Sequence, residues 1–105
     1  SAPISPLLAH LDFITSAGAV EDPEELQQAL AADPEDNLKR FQLAAVSLIE
    51  DDYDAAVDAL MEILRRDRNF DGGAARRGLL TVFDTLGGEH PLVKHYRSEL
   101  ARLIH

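Results

Sequence analysis

Apolar side chains recur at three- and four-residue intervals along most of the chain, and turn residues separate the runs, so the pattern predicts helices throughout. At 100° per residue, Leu38, Phe41, Ala44, Ala45, Val46, Leu48 and Ile49 cover an arc of about 200°. Tyr53, Ala56, Val57, Ala59, Leu60, Met61, Ile63 and Leu64 cover about as much. Helices that apolar are expected to pack on two sides, which puts residues 37–70 at the centre of a stack.

The flanking runs are narrower. Residues 6–17 carry Leu7, Leu11 and Ile14 at helical spacing, with Ser5 as a cap, Pro6 in the first turn and Gly18 as a stop. Asp22-Pro23-Glu24-Glu25 repeats the start signal, and Leu26, Ala29 and Leu30 follow before Asp33-Pro34. Beyond a loop at 69–73, a fifth helix is expected from about Ala74 to Leu86, with Ala75, Leu79, Val82, Phe83 and Leu86 on one side and Gly87-Gly88 ending it. His90-Pro91 opens a sixth, whose Leu92, Val93, Tyr96, Leu100, Leu103 and Ile104 fall within about 120°. Lys94, His95, Ser98, Arg102 and His105 take its opposite side. Such one-sidedness suits a helix that closes the end of a stack.

The expected fold is therefore all-α: six helices in three stacked antiparallel hairpins, within one domain covering residues 1–105. The 34-residue window 37–70 resembles a tetratricopeptide repeat, with its turn at Asp51-Asp52-Tyr53-Asp54 and with Ala56, Leu60 and Ile63 on its second helix. Ala44 stands where that repeat favours glycine at the helix crossing. Residues 3–36 resemble a degenerate first repeat, and 71–105 a divergent C-terminal hairpin. One such repeat cannot bury its own apolar face, so the architecture implies binding before catalysis.

Composition narrows the functions. The chain has 105 residues, enough for one core. It has no 18-residue apolar run and no signal-peptide pattern, so neither a membrane span nor an export address is expected, and the expected location is cytoplasmic. Ser1 in place of an initiator Met suggests a processed chain or an excised fragment. With no cysteine, these residues offer no disulfide, thiolate nucleophile or zinc-thiolate site. Net charge is −9: residues 1–58 hold thirteen acids against Lys39 and Arg40, and the rest holds eight Lys and Arg against six acids. That balance repels phosphate backbones and argues against nucleic acid.

Catalytic and metal chemistry find little support. The acidic turn Glu50-Asp51-Asp52-Tyr53-Asp54 lacks the glycine and the distant glutamate of a calcium loop and reads as a capped hairpin turn. His10, His90, His95 and His105 include no pair at metal-ligand spacing on one helix face. Carboxylates are plentiful but come with no interleaved nucleophile. No catalytic residue, metal or cofactor is expected.

The arginines carry more. Arg65, Arg66, Arg68, Arg76 and Arg77 bracket one inter-hairpin loop, and their guanidinium forks suit a carboxylate terminus or an acidic client segment. The alternative is an internal ion network, in which Arg66 pairs with Glu62, Arg77 with Asp84, and Asp67 and Asp71 lie alongside. The lysine and asparagine clamp by which some tetratricopeptide proteins grip a chaperone's terminal carboxylate is missing, its positions holding Leu38, Phe41, Gln42 and Ala45.

Leu64-Arg65-Arg66-Asp67-Arg68, Ala74-Ala75-Arg76-Arg77, Leu80, Phe83, Leu86-Gly87, Pro91-Leu92-Val93, Tyr96-Arg97 and Leu100 together resemble the C-terminal tetratricopeptide domain of the YbbN-type thioredoxin-like co-chaperones, the chaperedoxins. The resemblance implies a parent chain with an N-terminal thioredoxin-fold domain. It also implies unfolded clients and a chaperonin or Hsp70-type chaperone as partners, and no redox role within this piece. Under it, the sixth helix is the expected chaperone contact through Arg97, Ala101 and Ile104, with Arg102 nearby. An unrelated tetratricopeptide-type adaptor is the other reading that the repeat allows.

Overall fold

The computed structural model describes residues 22–104. Five α-helices follow one another: α1 (Pro23–Ala32), α2 (Asn37–Ile49), α3 (Tyr53–Arg66), α4 (Ala74–Leu86) and α5 (Pro91–Ile104), with a short 3-10 turn at Phe70–Gly72. They stack as antiparallel pairs, and no strand occurs among the described residues. The expected helix at 6–17 lies outside the described residues.

The start signals act as caps. The Asp22 carboxylate accepts the Glu24 N–H at 3.0 Å, Asp36 accepts that of Lys39 at 3.0 Å, and Asp52 accepts that of Ala55 at 3.2 Å. Each satisfies one of the donors that a helix start leaves open. His90 does the same for α5, its Nδ1 accepting the Leu92 N–H at 3.1 Å.

The core is centred on α3. Ala56, Val57, Leu60, Met61 and Ile63 have no exposed surface, and Leu64 has almost none. This helix touches α2, α4 and α5, so its wide apolar arc is consumed on more than one side. The most extensive pair is α2 with α3, and both helices carry buried small side chains, Ala44 and Ala45 on the first and Ala56 and Ala59 on the second, that suit a close approach. Leu79, Val82 and Phe83 of α4 and Leu92, Val93 and Leu100 of α5 complete the same cluster. Burying a side chain of this size contributes about 1.5–3 kcal/mol.

Two positions expected in the apolar arc of α2 are not core. Leu38 and Ile49 are each 58 % exposed. Eleven residues apart, they lie about 20° from each other on the helix. They flank the Phe41, Ala44 and Ala45 stripe pressed on the core, about 20–40° beyond Ala45, so α2 is packed less widely than the pattern suggested.

Spacing between pairs also departs from a strict repeat. Helices α1 and α3 end 34 residues apart, at Ala32 and Arg66, whereas α3 and α5 end 38 apart, at Arg66 and Ile104. Most of the surplus sits between Arg66 and Ala74, where the chain makes the 3-10 turn and passes through left-handed backbone at Asp71 (φ 47°), Gly72 (φ 63°) and Gly73 (φ 88°). Phe70 anchors this turn by setting its ring 6.0 Å from that of Phe41. Gly73 has the backbone freedom for its φ, but supplies no side chain to cap α4.

Candidate functional site

The five arginines around the α3–α4 loop do not form one patch. On α3, Arg66 is held by two carboxylates, Glu62 and Glu35, each at 2.7 Å. Arg65 reaches Glu62 at 3.3 Å and Glu99 of α5 at 3.4 Å. Burial pushes the Glu62 carboxyl up, but the hydrogen bonds from Arg66 and Arg65 outweigh it and hold the group below its ordinary range. The hydrogen bond to Glu62 in turn raises Arg66. These two arginines join α1's exit, α3 and α5 as an ion network.

Arg77 serves the backbone. Its Nη1 donates to the Gly72 carbonyl at 2.6 Å, which braces the turn; the expected pairing with Asp84 does not form. A carbonyl five residues back lies within reach because the left-handed residues fold the loop onto the first turn of α4. Asp67 is likewise turned to its own loop, accepting the Asn69 N–H at 3.0 Å, so it does not neutralise the cluster.

Arg68 and Arg76 make no ion pair or hydrogen bond with any described residue. They line one recess of about 310 Å³, together with Leu64, Asn69 and Ile104. The ends of α3 and α5 and the start of α4 meet there. A second recess of about 280 Å³ lies between Arg65, Glu99, Arg102 and Leu103, on the other side of the α5 terminus. Its walls already contain a matched ion pair, Arg65 with Glu99.

The expected contact edge of α5 is thereby divided. Arg97 and Ala101 are exposed, as is Arg102, but Arg102 stands with Leu103 at the second recess, away from Ile104. Ile104 is half-buried, packed on the core and part of the wall beside Arg68 and Arg76. The recess therefore gathers Arg68, Arg76 and Ile104 out of the nine sequence-predicted residues and adds Leu64 and Asn69. The signal for those two was the surplus of loop over a 34-residue period, which separates Arg68 from Arg76 enough to leave a hollow.

Among the described residues, no group of three His, Asp or Glu side chains is placed to hold a metal ion. No helix among them is long and apolar enough to cross a membrane. The acidic turn at 50–54 is a hairpin turn, with Asp51 in left-handed backbone (φ 60°) and Asp52 capping α3.

No curated protein and no solved structure gives a significant match to this chain. A family profile described as tetratricopeptide repeat matches residues 16–105, most of the sequence and every described helix. Repeats of this kind are non-catalytic scaffolds for contacts between proteins. With helix pairs stacked around α3 and that match over their whole length, this chain belongs to the tetratricopeptide repeat family.

Proposed function

We propose that the chain is a non-catalytic adaptor domain that holds partner proteins on its helical stack. The observation that carries this is the distribution of exposed apolar residues: among the described residues the large ones, Leu38, Ile49 and Leu80, all lie on α2 and α4. These are the first helices of their pairs, and stacked repeats present equivalent helices along one extended surface. Affinity capture compares the chain with a variant carrying Leu38→Asp, Ile49→Asp and Leu80→Asp. A partner held by the first and lost by the second, with equal helical circular dichroism, supports the adaptor reading. Equal capture by both contradicts it.

A second reading is favoured by the residue pattern between Leu64 and Leu100. Under it, the domain belongs to a cytoplasmic co-chaperone with a thioredoxin-fold domain upstream, and it engages unfolded clients and a chaperonin or an Hsp70-type chaperone. Much of the pattern, including Leu64, Ala74, Ala75, Phe83, Leu92, Val93 and Leu100, is buried core that any packed hairpin requires. The discriminating part is exposed: Arg65, Arg68, Arg76, Leu80 and Arg97. Because Ile104 is half-buried, the chaperonin contact is tested with Arg97→Asp and Ala101→Asp. Capture by a GroEL-type chaperonin that those changes abolish supports this reading; absence of capture by the unaltered chain removes it.

A further inference from the structure

Four of the eight arginines are engaged within the fold. Arg65 and Arg66 share Glu62 and add Glu99 and Glu35, Arg77 takes the Gly72 carbonyl, and Arg40 takes the Pro34 carbonyl at 2.7 Å. In a chain with nineteen Asp and Glu against ten Lys and Arg, Arg68, Arg76, Arg97 and Arg102 are left without an ion pair or hydrogen bond to a described residue. Of these four, Arg68 and Arg76 share one recess.

The rest of the recess defines what could fill it. Half-buried Ile104 supplies apolar surface above the buried Leu64, and Asn69 supplies an amide able to donate and accept. The start of α4, at Gly73, carries no side-chain cap, so its positive end adds to the two guanidinium groups. A volume of about 310 Å³ accommodates a few side chains. An inorganic anion would leave Ile104 uncovered, and a purely apolar segment would bury the guanidinium groups unpaired, which is unfavourable. The complement is a carboxylate beside an aliphatic or aromatic side chain.

We infer that this recess is a docking site for a short segment of a partner protein in which Asp or Glu adjoins a large apolar residue. The inference rests on the adaptor reading and names the chemistry of one partner contact. Arg68 and Arg76 pair with the carboxylate, Ile104 holds the apolar side chain, and Asn69 meets the peptide backbone between them. The recess exists because the α3–α4 connection is longer than the repeat period requires. It lies at the helix ends, and none of Leu38, Ile49 and Leu80 lines it.

The test is a fluorescence anisotropy titration of the 105-residue chain with a labelled peptide, blocked at both ends, whose core is Leu-Glu-Asp-Leu. A matched control has the core Leu-Gln-Asn-Leu. Saturable binding of the acidic peptide is expected, with binding of the amide control weaker by about tenfold or more. Binding should fall steeply as salt rises toward about 0.5 M. Arg68→Ala with Arg76→Ala should cause a similar loss, whereas Lys94→Ala, on the outer side of α5, should change binding less than about twofold. Equal binding of the two peptides overturns the inference, as does binding indifferent to the double variant or no binding of the acidic peptide. Sedimentation velocity supplies a further check: self-association abolished by the double variant would identify the occupant as a second copy and overturn the assignment to a partner. Peptide binding does not involve Leu38, Ile49 or Leu80, so failure here and failure of the adaptor reading are separately visible.

Discussion

The Tyr96 hydroxyl donates a hydrogen bond to the Asp58 carboxylate, tying α5 to α3 across 38 positions of sequence. That bond, with burial behind it, pushes the Tyr96 phenol up to about 12. Because the native state holds the proton more tightly than an unfolded chain, the contribution is complete below about pH 10 and lost as pH rises toward the native value. Replacing Tyr96 by Phe should cost about 1 kcal/mol near neutral pH. The stability gap between the two proteins, read from urea midpoints, should shrink between about pH 10 and pH 12. Identical midpoints near neutral pH would mean that the tie adds nothing.

Glu62 gives the opposite pH signature. Its carboxyl is held below the ordinary range by Arg66 and Arg65 against the effect of burial. A depressed native value contributes stability above the ordinary glutamate range, and this is lost as pH falls through the native value. Glu62→Gln should therefore lower the melting temperature at neutral pH and become indistinguishable from the parent near about pH 2. A gap that persists in acid would point to packing, not charge.

Ala44 and the outer face of α2 should respond very differently to substitution. Ala44 is fully buried in the core cluster, so Ala44→Leu should overpack it and cost about 1–3 kcal/mol. Leu38→Ala and Ile49→Ala, at positions 58 % exposed, should each stay within about 0.5 kcal/mol. Chemical denaturation of the three variants decides, and a large loss at Leu38 or Ile49 would show that those side chains are covered in solution.

The helices were legible because their signals are local. Asp22-Pro23, Asp52 and Gly87 mark boundaries that the backbone obeys, and the stripes of α3, α4 and α5 follow the 3.6-residue period. What the pattern missed is long-range or conformational. Nothing near Arg66 points to Glu35, 31 positions earlier, nor does anything near Tyr96 point to Asp58. Arg77 has Asp84 within helical reach on paper, yet the left-handed path through Asp71, Gly72 and Gly73 offers a carbonyl instead. The width of an apolar arc also overstates burial where no neighbour arrives, as Leu38 and Ile49 show. The arginine cluster was visible as composition, but its division into paired and unpaired members depends on which carboxylates the stack brings near.

The central claim is that this repeat stack engages a partner segment where α3, α4 and α5 meet. Amide hydrogen exchange of the chain with and without saturating Leu-Glu-Asp-Leu peptide tests it most directly. Slower exchange confined to residues 67–77 and the last turn of α5, with α1 and the outer face of α2 unchanged, is the predicted result. Protection centred on α2, or none at all while the peptide is bound, would contradict the account.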